Sequence, residues 1–220
     1  NDTIYGGTGN DIIDGGADND VIYANAGQNI IHGGSGVDTI LSGSGDDTIY
    51  GGDGRDTLDY SEIDNMSNIG INAKLDIGSI TYKIDTNLKI DPNTIFTDTI
   101  LDIENIIGTQ DKDTIVGNTQ NNTLKGEGAS DTISGGAGED WIEGGEGNDT
   151  ISGDAGNDIL KAGVGNDTVS YKSAVNTIGT SVGVVVNLSS DSNDTSKGSA
   201  SGIDGDDQLW DFENVIGSDY

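Results

Sequence analysis

One spacing constrains this chain above all else. Ile4, Ile13, Ile22, Ile31, Ile40, Ile49 and Leu58 stand nine residues apart, and two residues before each comes Asp2, Asp11, Asp20, Asn29, Asp38, Asp47 or Asp56. Glycine-rich stretches lead into the acids, as in Gly6-Gly7-Thr8-Gly9-Asn10-Asp11, Gly33-Gly34-Ser35-Gly36-Val37-Asp38 and Gly51-Gly52-Asp53-Gly54-Arg55-Asp56. A second array keeps the same phase. Its aliphatics are Ile115, Leu124, Ile133, Ile142, Ile151, Leu160 and Val169, and its polar positions are Asp113, Asn122, Asp131, Asp140, Asp149, Asp158 and Asp167. A period held for this long marks a repeat architecture, in which no unit folds alone.

Each unit reads as a turn followed by a short strand. The glycines permit positive φ and close backbone approach in the turn. The Thr-Ile-x segment is β-prone, and alternation points its middle aliphatic inward. So short a strand is unstable by itself, and the units must stack. Two units then complete one flattened coil, with a strand on each side, a turn at each end and about 4.8 Å between coils. The expected fold is all-β, a parallel β-helix solenoid around a thin ladder of Ile, Leu and Val. A hydrophobic content of 32% and an aromatic content of 5% suit such a core and are too low for a large conventional one.

Charge narrows the function. Lys and Arg total 9 against 39 Asp and Glu, for a formal net charge of −30. Nucleic acid and anionic membrane are poor partners for such a chain. The acids also repel one another, so a compact state needs cations at defined places. With no cysteine there are no disulfides or thiolate metal sites, which leaves oxygen ligands for hard cations. No apolar run reaches the length of a membrane span. The sequence shows no signal peptide and opens within the repeat at Asn1, so it is expected to be a slice of a longer protein.

The pattern G-G-x-G-x-D followed by x-U-x, with U a large aliphatic, resembles the hemolysin-type, or repeats-in-toxin (RTX), calcium-binding nonapeptide family, a resemblance covering about residues 1–60 and 108–170. The resemblance implies a right-handed parallel β-roll with several calcium ions, each between turns one coil apart. It implies carboxylate ligands from Asp11, Asp20, Asp38, Asp47, Asp56, Asp113, Asp131, Asp140, Asp149, Asp158 and Asp167. In the first array the implied backbone carbonyls are those of Gly6, Thr8, Gly15, Ala17, Gly33, Ser35, Ser42, Ser44, Gly51 and Asp53. In the second they are those of Gly126, Gly128, Gly135, Ala137, Gly144, Glu146, Gly153, Ala155, Ala162 and Val164. One ion per pair of facing turns gives on the order of ten at most.

The pairs are not equivalent. An amide oxygen can coordinate calcium but brings no charge. Pairings through Asn29 or Asn122 are therefore expected to be weak or empty. The strongest expected pairs are Asp20/Asp38, Asp38/Asp56, Asp131/Asp149, Asp140/Asp158 and Asp149/Asp167. A single Asp beside Gly often caps an ordinary turn without metal. A stacked column of acids about 5 Å apart is different, because unneutralised they would repel strongly.

The remaining sequence is a duplication. Asp56-Thr57-Leu58-Asp59-Tyr60-Ser61 parallels Asp167-Thr168-Val169-Ser170-Tyr171-Lys172, and Ile69 to Leu75 parallels Val182 to Leu188. Asp102-Ile103-Glu104-Asn105-Ile106-Ile107-Gly108 parallels Asp211-Phe212-Glu213-Asn214-Val215-Ile216-Gly217. The expected organisation is a repeat block at 1–60, a strand-rich insert at 61–107 that ends in a return motif, a second block at 108–170 and a second insert or cap at 171–220. Glu104 falls on the acid position of the next register, and the inserts are expected to continue or cap the roll.

These readings point to a structural module that stays disordered without calcium and folds on binding extracellular calcium after secretion. The resemblance implies export through a type I secretion channel. The module would be a scaffold, spacer or folding aid joined to neighbouring domains of the same polypeptide, in a secreted or cell-surface bacterial toxin, adhesin or exoenzyme. An enzyme is not expected. His32, the only histidine, reads as an exposed strand residue, and no H-E-x-x-H, G-x-S-x-G or cysteine nucleophile is present. The alternative reading is a carbohydrate- or cell-surface-binding region, suggested by an outward row of Tyr5, Tyr23 and Leu41, with Trp141 also facing out.

Overall fold

The computed structural model describes residues 1–63, 70–83, 95–172, 184–188, 198–202 and 205–218. Ile69, Val182 and Gly183 of the paired insert segments, and Asp219 and Tyr220, lie outside them. The first array forms β1 (Thr3–Tyr5), β2 (Ile12–Ala17), β3 (Val21–Tyr23), β4 (Ile30–Ser35), β5 (Thr39–Leu41), β6 (Thr48–Asp53) and β7 (Thr57–Asp59). The first insert gives β8 (Ile71–Lys74), β9 (Ser79–Lys83), β10 (Ile95–Leu101) and β11 (Asn105–Ile107). The second array forms β12 (Thr114–Val116), β13 (Thr123–Glu127), β14 (Thr132–Ala137), β15 (Trp141–Glu146), β16 (Thr150–Ala155), β17 (Ile159–Val164) and β18 (Thr168–Ser170). The second insert gives β19 (Val185–Asn187), β20 (Gly198–Gly202), β21 (Gly205–Trp210) and β22 (Asn214–Ile216).

These strands make a parallel β-solenoid of about eight turns. Alternate strands fall on opposite sides, in sheets ordered β1-β3-β5-β7-β11-β13-β15-β17-β21-β20-β19 and β2-β4-β6-β10-β9-β8-β12-β14-β16-β18-β22. The register follows from the period. Ile4 pairs with Ile22, Ile22 with Ile40 and Ile40 with Leu58, while Ile13 pairs with Ile31 and Ile31 with Ile49. Each coil contributes one aliphatic from each sheet, and these side chains form one continuous core. Fully burying such a side chain stabilises by roughly 1.5–3 kcal/mol. Among the described residues no helix is long and apolar enough to cross a membrane.

The first insert continues the roll. β8, β9 and β10 form an antiparallel meander, with β10 parallel to β6 and β8 parallel to β12. Its counterpart β19-β20-β21 lies on the opposite sheet, with β21 parallel to β17. Eight strands, β11 to β18, separate the two meanders, and nine changes of side carry the second to the other sheet. Tyr60 and Tyr171, the equivalent residues that enter the inserts, are fully buried.

Candidate metal-binding turns

The repeat aspartates sit at the edges of the roll, each just before its strand, and nearly all are buried. One carboxylate oxygen of most of them joins a ladder. Oδ1 of Asp20, Asp38, Asp131, Asp140, Asp149 and Asp167 accepts the backbone N–H of the polar residue one coil earlier, at 2.6–2.8 Å. This is the local reason for Asp at the position: a short acceptor stitches one coil to the next.

The second oxygen has no such partner. Oδ2 of Asp11, Asp20, Asp38, Asp47, Asp56, Asp131, Asp140, Asp149, Asp158 and Asp167 is buried without a hydrogen bond. Where a glycine opens the turn, a Cβ built on it would meet the Oδ2 and, in most of these turns, a carbonyl of the next coil; the turns of Asp47 and Asp167 open with Ser42 and Ala162. A Cβ built on Gly33 would lie 2.6 Å from both Asp38 Oδ2 and the Gly51 carbonyl oxygen. Gly15 stands in the same relation to Asp20 Oδ2, at 2.8 Å, and to the Gly33 carbonyl. The missing side chain thus leaves a cradle lined by negative oxygen. Backbone φ values of 96° at Gly16 and 116° at Gly34 form the turns that build it.

Isolated buried carboxylates are costly. Two of them about 5 Å apart repel by roughly 3 kcal/mol at an effective dielectric of 20. Burial accordingly pushes Asp131 up to about 8, Asp158 to about 7, and Asp47, Asp56 and Asp140 to about 6, with neighbouring carboxylates adding to the effect. Among the described residues no Lys or Arg pairs with a ladder carboxylate. Lys125 and Lys161 instead reach Glu143 on the outer face. No three His, Cys, Asp or Glu side chains converge among the described residues. A cation here would therefore draw on backbone carbonyls and on carboxylates of paired coils, a donor set suited to calcium.

In the five pairs expected to be strongest, both Oδ2 atoms are without a partner. At Asn29 the buried atom without a hydrogen bond is Nδ2 instead. Asp113 differs from the other candidates, because Oδ2 accepts the Thr109 N–H at 2.6 Å and Oδ1 accepts the Ile71 N–H at 2.7 Å. Four further acids complete the ladder where the inserts enter it, among them Glu213, which accepts from Asp167 N at 2.7 Å. Glu104 accepts from Asp56 N at 2.9 Å, Asp98 from Asp47 N at 3.0 Å and Asp207 from Asp158 N at 3.0 Å. The register of Glu104 was readable from its spacing. Asp98 and Asp207 carried a fainter signal: Asp98-Thr99-Ile100 repeats the Asp-Thr-Ile of the arrays, without the preceding glycines.

On the outer faces, Tyr5 stacks on Tyr23 with centroids 4.9 Å apart, and His32 stacks on Tyr50 at 4.6 Å. His32 is exposed on its strand. Leu41 is buried, so the outward row ends at Tyr23. Trp141 is half-exposed, with the Lys125 ammonium 5.5 Å from its ring centroid.

No curated protein gives a significant match to the chain. The sequence model of the RTX calcium-binding nonapeptide repeat matches in four copies, over residues 1–31, 32–62, 107–142 and 134–169. More than half of the sequence is covered, and the copies coincide with the two stacked arrays. The chain belongs to the RTX calcium-binding nonapeptide repeat family, whose repeats are structural rather than catalytic.

Proposed function

We propose that this chain is a calcium-binding structural module of a larger secreted protein, and that it folds when it meets extracellular calcium. The observation that carries the reading is the set of buried, unpartnered Asp Oδ2 atoms, most of them beside a turn-opening glycine and a carbonyl of the next coil. Calcium would supply the positive charge those oxygens require. The pairs Asp20/Asp38, Asp38/Asp56, Asp131/Asp149, Asp140/Asp158 and Asp149/Asp167 are the principal holders, together with carbonyls of their turns. Right-handed winding accords with the general rule for parallel strands joined across a layer.

Binding free energy then becomes folding free energy. In a low-calcium cytosol the acids repel and the chain stays open, ready for export through a type I channel. Outside the cell the roll closes and serves as a scaffold or spacer for the domains joined to it. The stacked Tyr5–Tyr23 pair favours a second role, adhesion to carbohydrate or a cell surface, because exposed aromatic faces suit sugar rings.

Far-ultraviolet circular dichroism in chelator, followed by titration with calcium and separately with magnesium, tests the main reading. A cooperative gain of β signal with calcium alone supports it. Full β structure in chelator, unchanged by calcium, rejects it.

A further inference from the structure

We infer that the turns at 108–113 and 117–122 take no calcium, and that protein hydrogen bonds join the two arrays across this seam. The inference rests on the calcium reading of the other turns and assigns a different chemistry to these two.

The backbone sets them apart. At the second turn position the repeats adopt left-handed φ: 109° at Gly52, 103° at Gly136 and 116° at Gly145. Non-glycine residues at that position do the same, with 68° at Asn25, 76° at Glu127 and 64° at Asp154. Thr109 and Asn118 hold the same position and stay outside that region. The peptide planes that aim carbonyls into the cradle elsewhere are therefore turned differently here.

Their side chains are also engaged. Thr109 donates to Asp113 twice, from N to Oδ2 at 2.6 Å and from Oγ1 to Oδ1 at 3.0 Å. Asn122 Oδ1 accepts the Asn118 N–H at 2.9 Å, and Asn122 Nδ2 donates to the Glu104 carbonyl at 2.8 Å. Oxygens that already accept N–H and O–H donors are poor metal ligands, and an N–H₂ group pointing into the turn repels a cation. Across the same seam, the Arg55 guanidinium donates to the Asn121 carbonyl at 2.6 Å. A covalently attached cation thus spans the interval where the short return turn 102–104 interrupts the repeat. The calcium column is broken, and the arrays load as two separate blocks.

Equilibrium dialysis of the full chain against radioactive calcium tests this with Asp113→Asn and Asp131→Asn beside the unaltered protein. Asp131→Asn is expected to lose at least one ion and Asp113→Asn none. Loss of an ion on Asp113→Asn, comparable to that on Asp131→Asn, overturns the inference and leaves the calcium reading standing. Absence of calcium binding by the unaltered chain overturns both. If Asp113→Asn does not fold in calcium, crystals of the unaltered chain grown with calcium decide. Anomalous peaks in the turns of Asp131, Asp140 and Asp149 with none at Asp113 support the inference, and a peak at Asp113 overturns it.

Discussion

The Tyr171 hydroxyl donates a 2.9 Å hydrogen bond to Asp207 Oδ2, and Tyr60 donates the equivalent bond to Asp98 Oδ2. In both rungs a phenol occupies the carboxylate oxygen that lies unpaired in the repeat turns. The duplication therefore extends to chemistry: each insert carries its own acid into the ladder together with a buried tyrosine that satisfies it. Tyr171→Phe would strand a buried Asp207 oxygen, at a cost of about 1–3 kcal/mol. Denaturant unfolding in saturating calcium should show that loss, with the number of bound ions unchanged. An unaltered midpoint would deny the bond a structural role.

The fold and the candidate site were legible to different depths. The ninefold spacing places Ile22 between Ile4 and Ile40 and stacks Asp20 under Asp38, because two units close one coil and no other register buries every aliphatic. The meander was not legible in that way. β8 and β10 are separated by β9 and run in reverse order across the sheet, yet both touch repeat strands, and Asp98 reaches Asp47 across 51 residues without a glycine turn to announce it. Asp113 keeps the repeat's acid while Thr109 replaces its second glycine, so the spacing alone could not separate it from a ligating aspartate.

The titration of the acids gives a signed pH dependence. Burial holds Asp131 at about 8 and Asp98 at about 7, against 3.8 for an ordinary carboxyl. A raised folded-state value means that the metal-free roll binds these protons more tightly than the unfolded chain does. In chelator, stability is thus greatest in acid and is lost as the pH rises from the ordinary carboxyl value of 3.8 through about 6 to 8. The β signal in chelator should be larger at about pH 5 than at pH 8. Protons also compete for the same oxygens, so the calcium affinity of the folded roll should fall as the pH falls. A chelated chain that gains structure with rising pH would contradict this.

Gly33 supplies a steric test of the cradle. A Cβ there meets Asp38 Oδ2 and the Gly51 carbonyl at 2.6 Å, and the carbonyl belongs to the backbone. Gly33→Ala should cost about 1–3 kcal/mol from overpacking and remove at least one bound calcium in equilibrium dialysis. Gly217→Ala, where a Cβ meets nothing within 4 Å, is the control and should keep every ion. Equal ion counts in the two variants would show that the cradle is not where calcium binds.

Asn29 offers the opposite experiment, a gain of sites. Its Oδ1 accepts the Asp11 N–H at 3.0 Å, its own N–H goes to Asp47 Oδ1 at 2.7 Å, and its Nδ2 is left buried and unpaired. The surrounding backbone is already that of a repeat turn, with φ of 68° at Asn25 and 142° at Gly27. Asn29→Asp therefore exchanges a repelling N–H₂ for a carboxylate oxygen and completes a column of three acids. Up to two further calcium ions should bind, and the calcium midpoint for folding should fall. In chelator the same variant should be less stable, since three unneutralised acids now face one another. The identical exchange at Asn122 meets a turn whose oxygen already accepts the Asn118 N–H, and it should add no ion. A gain at Asn122 equal to that at Asn29 would mean that the acid alone, and not the turn around it, decides where calcium binds.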